Sequence, residues 1–191
     1  MIPTGLLVLT DRTLCSGPLL TCLSTAVDSG ARTVVVREKD LPTRERERLA
    51  REVRALLAPV DGTVIVAGTE GDRVHLTAAD AYPEPRPELV GRSCHSADEL
   101  ENARREGCDY ATISPLHPTD SKPGYGPALG LEALAALTPV GPPTYALGGV
   151  RPDDAAACLA AGAAGVAVMG AVMREPRLVA AYLESLAQVV R

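Results

Sequence analysis

Residues 144–154 read TYALGGVRPDD, and residues 161–173 read AGAAGVAVMGAVM. Each is a short apolar run that halts at glycine and passes into a helix-forming segment. In the first, Thr144 to Leu147 run into Gly148 and Gly149, and Arg151-Pro152-Asp153-Asp154 supplies a helix start with proline in the first turn. In the second, Gly165 to Met169 run into Gly170. Bare backbone N–H groups at two such turns can converge on one anion, and the positive end of a following helix adds to the attraction. Two consecutive strand-to-helix turns at the end of an alternating series predict the phosphate grip after strands seven and eight of a (β/α)8 barrel. The expected phosphate contacts are Gly148, Gly149, Met169, Gly170 and Ala171.

Working outward, the rest of the chain keeps the same alternation. Leu6 to Leu9 reads as a buried strand, Leu19 to Val27 as a helix closed by Gly30, and Thr33 to Val36 as a second strand ending in Arg37-Glu38-Lys39. Thr43 to Leu57 is a charged amphipathic helix whose Arg-rich face, Arg44 to Arg54, is interleaved with glutamate and reads as solvated. Strands three and four, Thr63 to Val66 and Arg73 to Leu76, are so close that the third helix is expected to be shortened or lost. Pro83, Pro85 and Pro87 break any long helix before strand five, Leu89 to Ser93. Ser96 and Glu99 form a capping box for a helix reaching Glu106, with Gly107 at its end. Strand six, Tyr110 to Ser114, is followed by a long loop through Gly126, a helix near Leu129 to Leu137, strands seven and eight, and a closing helix from Pro176 to Val190. The fold class is α/β, a compact TIM barrel in one domain spanning residues 1–191.

Composition narrows the function. The chain has 191 residues, 46% of them hydrophobic, enough for one sizeable core. Phenylalanine and tryptophan are absent and the net charge is −5, so there is neither a stacking platform for bases nor a basic nucleic-acid face. No apolar run approaches a membrane span, no signal-like segment opens the chain, and a cytoplasmic location with a homodimeric state is the expectation. The cysteines at 15, 22, 94, 108 and 158 form no CxxC pair and read as reduced thiols. Histidines at 75, 95 and 117 lack metal-pair spacing, so no metal site is proposed from them.

On a barrel the strand C-termini share one mouth. That gathers Thr10, Asp11, Arg37, Lys39, His75, Asp80, Ser93, His95, Ser114, His117, Thr119, Ser121 and Lys122 around the glycine turns, a cationic pocket in an acidic protein. His75, ending a buried strand, reads better as a satisfied core histidine. His95 is balanced between a structural hydrogen bond and the pocket. Cys94 alternates away from Ser93 and His95 and reads as a buried thiol.

The segments VVVREK (34–39), DRVHLTAAD (72–80), VGRSCHSADEL (90–100), SPLHPTDSKPGYGP (114–127), YALGGVRPDD (145–154) and GAAGVAVMGAV (162–172) resemble the thiamine phosphate synthase and thiazole tautomerase (TenI-like) superfamily in order and spacing. The resemblance covers almost the whole chain and implies a TIM barrel that takes a phosphorylated heterocycle of the thiazole phosphate type.

Two branches differ in chemistry. The synthase joins a pyrimidine diphosphate to a thiazole phosphate with Mg²⁺, using a Gln-x-Arg-x-Lys strand end, an Asn-Asp pair and a further Asp. Here Arg37 and Lys39 match, the Gln position is Val35, the Asn-Asp pair falls on Ala67-Gly68, and Asp80 alone offers the carboxylate. RVHL, GRSCHS and AVMG resemble the tautomerase branch, which isomerises a carboxythiazole phosphate by proton transfer without a metal. That resemblance makes a metal-independent tautomerase the leading expectation, with His117, Lys122 and His95 as catalytic candidates and Arg37, Lys39, Ser93, Thr119 and Ser121 contacting substrate. The tautomerase histidine lies two places earlier, where this chain has Pro115, so His117 can replace it only if strand six extends that far. A divergent Mg²⁺-dependent synthase and a non-catalytic phosphate-ligand binder are the alternatives.

Overall fold

The computed structural model describes residues 5–118 and 128–188. Eight parallel strands close on themselves in chain order: β1 (Gly5–Leu9), β2 (Thr33–Val36), β3 (Thr63–Ala67), β4 (Arg73–Leu76), β5 (Leu89–Cys94), β6 (Tyr110–Ile113), β7 (Thr144–Leu147) and β8 (Gly165–Val168). This is the (β/α)8 barrel that the alternation predicts.

Period-two alternation sorts each strand's side chains into two compartments. Leu7, Leu9, Val35, Ile65, Leu89, Tyr110, Tyr145 and Ala167 fill the barrel, while Val8, Val34, Val36, Val64, Val74, Val90, Cys94, Ile113 and Val166 face the helices. Two rings decide the packing of the barrel floor. A Cβ on Gly91 would lie 2.1 Å from Tyr110 Cζ, so that glycine makes room for the ring, and one on Gly165 would lie 2.1 Å from Gly5 O of β1 and 2.8 Å from Tyr145 Cε1. The rings then meet edge to face, with centroids 5.7 Å apart.

The outer layer is α1 (Leu19–Asp28), α2 (Thr43–Leu57), α3 (Ala97–Arg105), α4 (Gly130–Leu137), α5 (Ala155–Ala160), α6 (Gly170–Arg174) and α7 (Leu178–Ala187). No helix joins β3 to β4, since Gly68 to Asp72 are too few, nor β4 to β5, where the prolines stand. The closing helix begins at Leu178 rather than Pro176, because the chain leaves α6 through a turn before α7 starts. The capping box is shifted as well. Ser96 Oγ accepts from Glu99 N at 3.2 Å, whereas the Glu99 carboxylate reaches past Ser96 to accept from His95 N at 2.6 Å. That second bond ties the backbone after β5 to the first turn of α3. Among the described residues no helix is long and apolar enough to cross a membrane.

Candidate active site

The strand C-termini open on a cavity of about 660 Å³, within the usual range for a small-molecule site. One wall carries the glycine turns, with Arg151 and Arg174 also among its lining residues. Gly148 and Gly149, at φ +94° and +67°, turn the chain from β7 into a 3-10 turn and then α5, and Gly170 and Ala171 open α6 directly after Met169. All five expected phosphate contacts line the cavity. The first-turn amides of α6 have no intrahelical acceptor. The two positive φ values explain the Gly-Gly pair, and so does its packing. A Cβ on Gly149 would lie 2.7 Å from the carbonyl oxygen of Pro118 and 2.8 Å from His117 Cβ.

A second stretch of the lining is built of side chains, and Arg37 Nη1 lies 3.8 Å from Met169 Sδ beside the glycine turns. Arg37 and Lys39 follow β2 on its inward face and line the cavity. Glu38 between them turns the other way: it is buried, its carboxylate accepts from Arg12 N at 3.1 Å and from Arg12 Nη1 at 2.9 Å. The negative charge nearest the two cations in sequence is thereby spent on Arg12, outside the cavity lining. Thr10, named for the mouth, is wholly buried, and its hydroxyl accepts from Arg37 N at 2.9 Å, fixing the backbone where β2 ends.

His75, Ser93 and His95 line the same cavity. His75 is 5% exposed, with Nδ1 2.9 Å from Tyr110 Oη and Nε2 2.9 Å from Ser93 Oγ. Burial, followed by the charges of Lys39, Arg37 and Arg92, lowers its pKa to about 4, so the ring is neutral at physiological pH. It is a satisfied histidine that also floors the pocket. His95 Nδ1 lies 3.0 Å from the carbonyl oxygen of Ser114, which lines the mouth too. Cys94 is fully buried on the helix-facing side, and burial pushes its thiol up to about 12.

His117 sits elsewhere. The extension it required does not occur, because β6 ends at Ile113 and the following residues bond to the end of β7 instead: Leu116 N donates to Leu147 O and His117 N to Gly148 O. His117 is absent from the described cavity lining, and its Nε2 stands 3.6 Å from Asp154 Oδ2. Asp80 is also turned away from the cavity. Its Oδ2 accepts from Thr77 N at 2.7 Å, and it borders a separate groove beside α2. Thr119, Ser121 and Lys122 lie outside the described residues.

Two supports escaped the reading of the sequence. Tyr110 looked like an ordinary strand residue, yet the glycine inside β5 marked the close approach that seats its ring. Arg92 is 3% exposed on the outward side of β5, where its Nη1 donates to the carbonyls of Thr77 at 3.0 Å and Asp80 at 2.9 Å. Its Nη2 pairs with Glu106 Oε2 at 2.7 Å, so a buried cation anchors the loop after β4 that carries Thr77 and Ala78 into the mouth.

With the site's geometry in place, comparison with known proteins gives its lineage. Residues 6–172 match the family model described as thiamine monophosphate synthase. The chain belongs to the thiamine monophosphate synthase family. It is 37% identical over 189 residues to a putative thiamine-phosphate synthase of Geobacter sulfurreducens, covering 90% of this chain and 88% of that one. It is 36% identical over 171 residues to the thiamine-phosphate synthase of Moorella thermoacetica, covering 82% of this chain and 81% of that one. Among solved structures it resembles a thiamine phosphate pyrophosphorylase from Pyrococcus furiosus, with a TM-score of 0.84, 28% identity and 98% of each chain covered. These relatives of the thiamine monophosphate synthase family carry the synthase name, whereas the residue motifs alone had pointed to the tautomerase branch.

Proposed function

We propose that the chain is an enzyme of thiamine synthesis that holds a thiazole phosphate in the barrel mouth. The ligand's phosphate lies against the glycine turns after β7 and β8, and its reacting end faces Arg37, Lys39 and Ser93. The observation that carries this reading is one cavity lined both by the glycine turns after β7 and β8 and by Arg37 and Lys39 after β2, suited to a ligand or ligand pair with more than one negative charge.

The first reaction is the coupling for which the relatives are named. Arg37 and Lys39 would grip the diphosphate of the pyrimidine partner and stabilise the charge that collects on it as it leaves. Mg²⁺ belongs to that chemistry in the family, and the residues present do not fit it. The Asn-Asp positions are Ala67 and Gly68, Asp80 is held by Thr77 N, and Asp11 is the one carboxylate among the described lining residues, accepting from Thr13 N at 3.1 Å.

The second reaction, isomerisation of a carboxythiazole phosphate, is favoured by that same donor set. It needs a phosphate grip, cations for the carboxylate and a proton carrier, and His95 is the titratable side chain at the mouth best placed among the described residues to carry one. His117, paired with Asp154, would act only after leaving that partner.

One experiment separates these. The purified protein is supplied with pyrimidine diphosphate and thiazole phosphate, and separately with carboxythiazole phosphate, each with Mg²⁺ and with EDTA. Formation of thiamine phosphate assigns the transferase. Isomerisation that survives EDTA without coupling assigns the tautomerase. Ligand binding with neither reaction makes the chain a non-catalytic binder.

A further inference from the structure

We propose that Tyr110, His75 and Ser93 form a one-way hydrogen-bond relay that fixes Ser93 as a donor into the cavity, selecting an anionic oxygen beside Arg37 and Lys39. This deepens the two-anion reading of the mouth and rests on it.

The argument starts from a hydrogen count. Tyr110 is fully buried, and its hydroxyl has one hydrogen-bond partner among the described residues, His75 Nδ1 at 2.9 Å. A neutral imidazole carries one N–H and one acceptor nitrogen, so the chain of three groups has two possible directions. With the proton on Nδ1, the ring donates to Tyr110 Oη. The phenolic hydrogen is then left without an acceptor among the described residues, surrounded by Leu89, Tyr145 and the rest of the barrel filling. An unsatisfied buried donor costs about 1–3 kcal/mol, so this direction is disfavoured roughly ten- to hundredfold. With the proton on Nε2, Tyr110 donates to Nδ1 and Nε2 donates to Ser93 Oγ at 2.9 Å, and every buried group is satisfied.

A doubly protonated ring restores the orphaned phenol hydrogen and meets Lys39, Arg37 and Arg92, with Asp80 alone in its favour. The neutral Nε2–H form is what remains.

The consequence is read at Ser93. Its oxygen is already receiving a hydrogen, so its own O–H is released toward the cavity it lines. In the opposite direction that O–H would be consumed by His75. A hydroxyl free to donate, in a lining that also holds Arg37 and Lys39, suits a phosphate or carboxylate oxygen, and the two cations disfavour an ammonium group. The glycine at 91 belongs to the device, because a side chain there would displace the Tyr110 ring that starts the relay. Tyr110 and His75 are thus positioning residues, acting through Ser93.

The test uses the full chain with ¹⁵N-labelled histidine. At neutral pH, two-bond ¹H–¹⁵N correlation should show His75 protonated on Nε2 and bare on Nδ1, unchanged by inorganic pyrophosphate. Calorimetry with pyrophosphate should show Ser93→Ala weakening binding about tenfold or more, the scale of a hydrogen bond to a charged group. Tyr110→Phe, which keeps the ring, should weaken it severalfold and give a mixture of His75 tautomers. A parent His75 protonated on Nδ1, or a Ser93→Ala affinity equal to the parent's, overturns the relay. Thiazole phosphate, titrated in parallel, separates the two readings. If pyrophosphate binds through Ser93 and thiazole phosphate does not bind, the proposed function fails alone. If thiazole phosphate binds and Ser93→Ala is neutral, the relay fails alone, and if neither ligand binds, both fail.

Discussion

In the proposed function, the two walls of the mouth bind anions by different means. The β7–β8 wall offers peptide N–H groups held by glycine turns and a helix start. The β2–β5 wall offers Arg37, Lys39 and Ser93, held from behind by Thr10, His75 and Tyr110. Backbone donors have no side chain to truncate and do not titrate near neutrality, so they give a grip insensitive to pH and to most substitutions. Of the side-chain donors two carry full charge and all can discriminate, and Arg37 and Ser93 rest on supporting residues. The first wall is therefore suited to hold a constant part of the ligand, and the second to judge the part that reacts.

The largest effect is expected where the supported wall is attacked from behind. Gly91→Ala places a Cβ 2.1 Å from Tyr110 Cζ in a close-packed floor, and unfolding by urea should show a loss of roughly 3 kcal/mol or more. Adding Tyr110→Leu should recover part of that stability. A Gly91→Ala protein as stable as its parent would place the Tyr110 ring elsewhere.

Next in size is the response to acid, which should belong to one wall only. His75 has its pKa lowered from 6.5 to about 4, chiefly by burial, so between these values the unfolded chain binds the proton and the folded chain does not. Its contribution is fully present above pH 6.5 and is lost as the pH falls toward 4, roughly 3 kcal/mol in all. Urea midpoints across that window should fall less steeply in His75→Gln than in the parent. Equal slopes would mean that the ring is not buried neutral.

The backbone wall is tested by adding a charge. Ala171→Asp puts a carboxylate in the first turn of α6, where it suits the helix and opposes a phosphate. The dissociation constant of thiazole phosphate should rise about 10²-fold, ~2.7 kcal/mol, with the circular dichroism unchanged. Unaltered binding would move the phosphate off this wall.

Smallest of the four is the effect of neutralising one cation. Arg37→Met or Lys39→Met should each weaken pyrophosphate about tenfold, ~1.4 kcal/mol, and the loss should shrink as salt is raised. Inorganic phosphate bound at the glycine turns should hardly respond to Lys39→Met, whereas Arg37, beside Met169, touches both parts of the mouth. If both ligands weaken alike, the walls do not act separately.

The glycine turns were legible in the sequence because their information is local. An apolar run, a Gly-Gly pair and a helix start lie within eleven residues, and that signal is complete without any partner. The same holds for the strands, whose inward and outward faces follow from alternation, and for Arg37 and Lys39, which share a face by being two apart. His117 was misplaced for the opposite reason. Its face depended on where β6 stops, which is decided by bonds from Leu116 and His117 to the end of β7 about thirty residues away.

The sequence by itself determined a closed βα series, its polar mouth and the glycine turns at it, since these follow from periodicity and from residues that act alone. Only the tertiary structure decided that Glu38 turns to Arg12, that Asp80 closes on Thr77, and that Tyr110, His75 and Ser93 join in one line. Those are choices among partners, and a buried polar group takes its partner from whatever the fold brings within hydrogen-bond reach, which adjacency in the chain does not record.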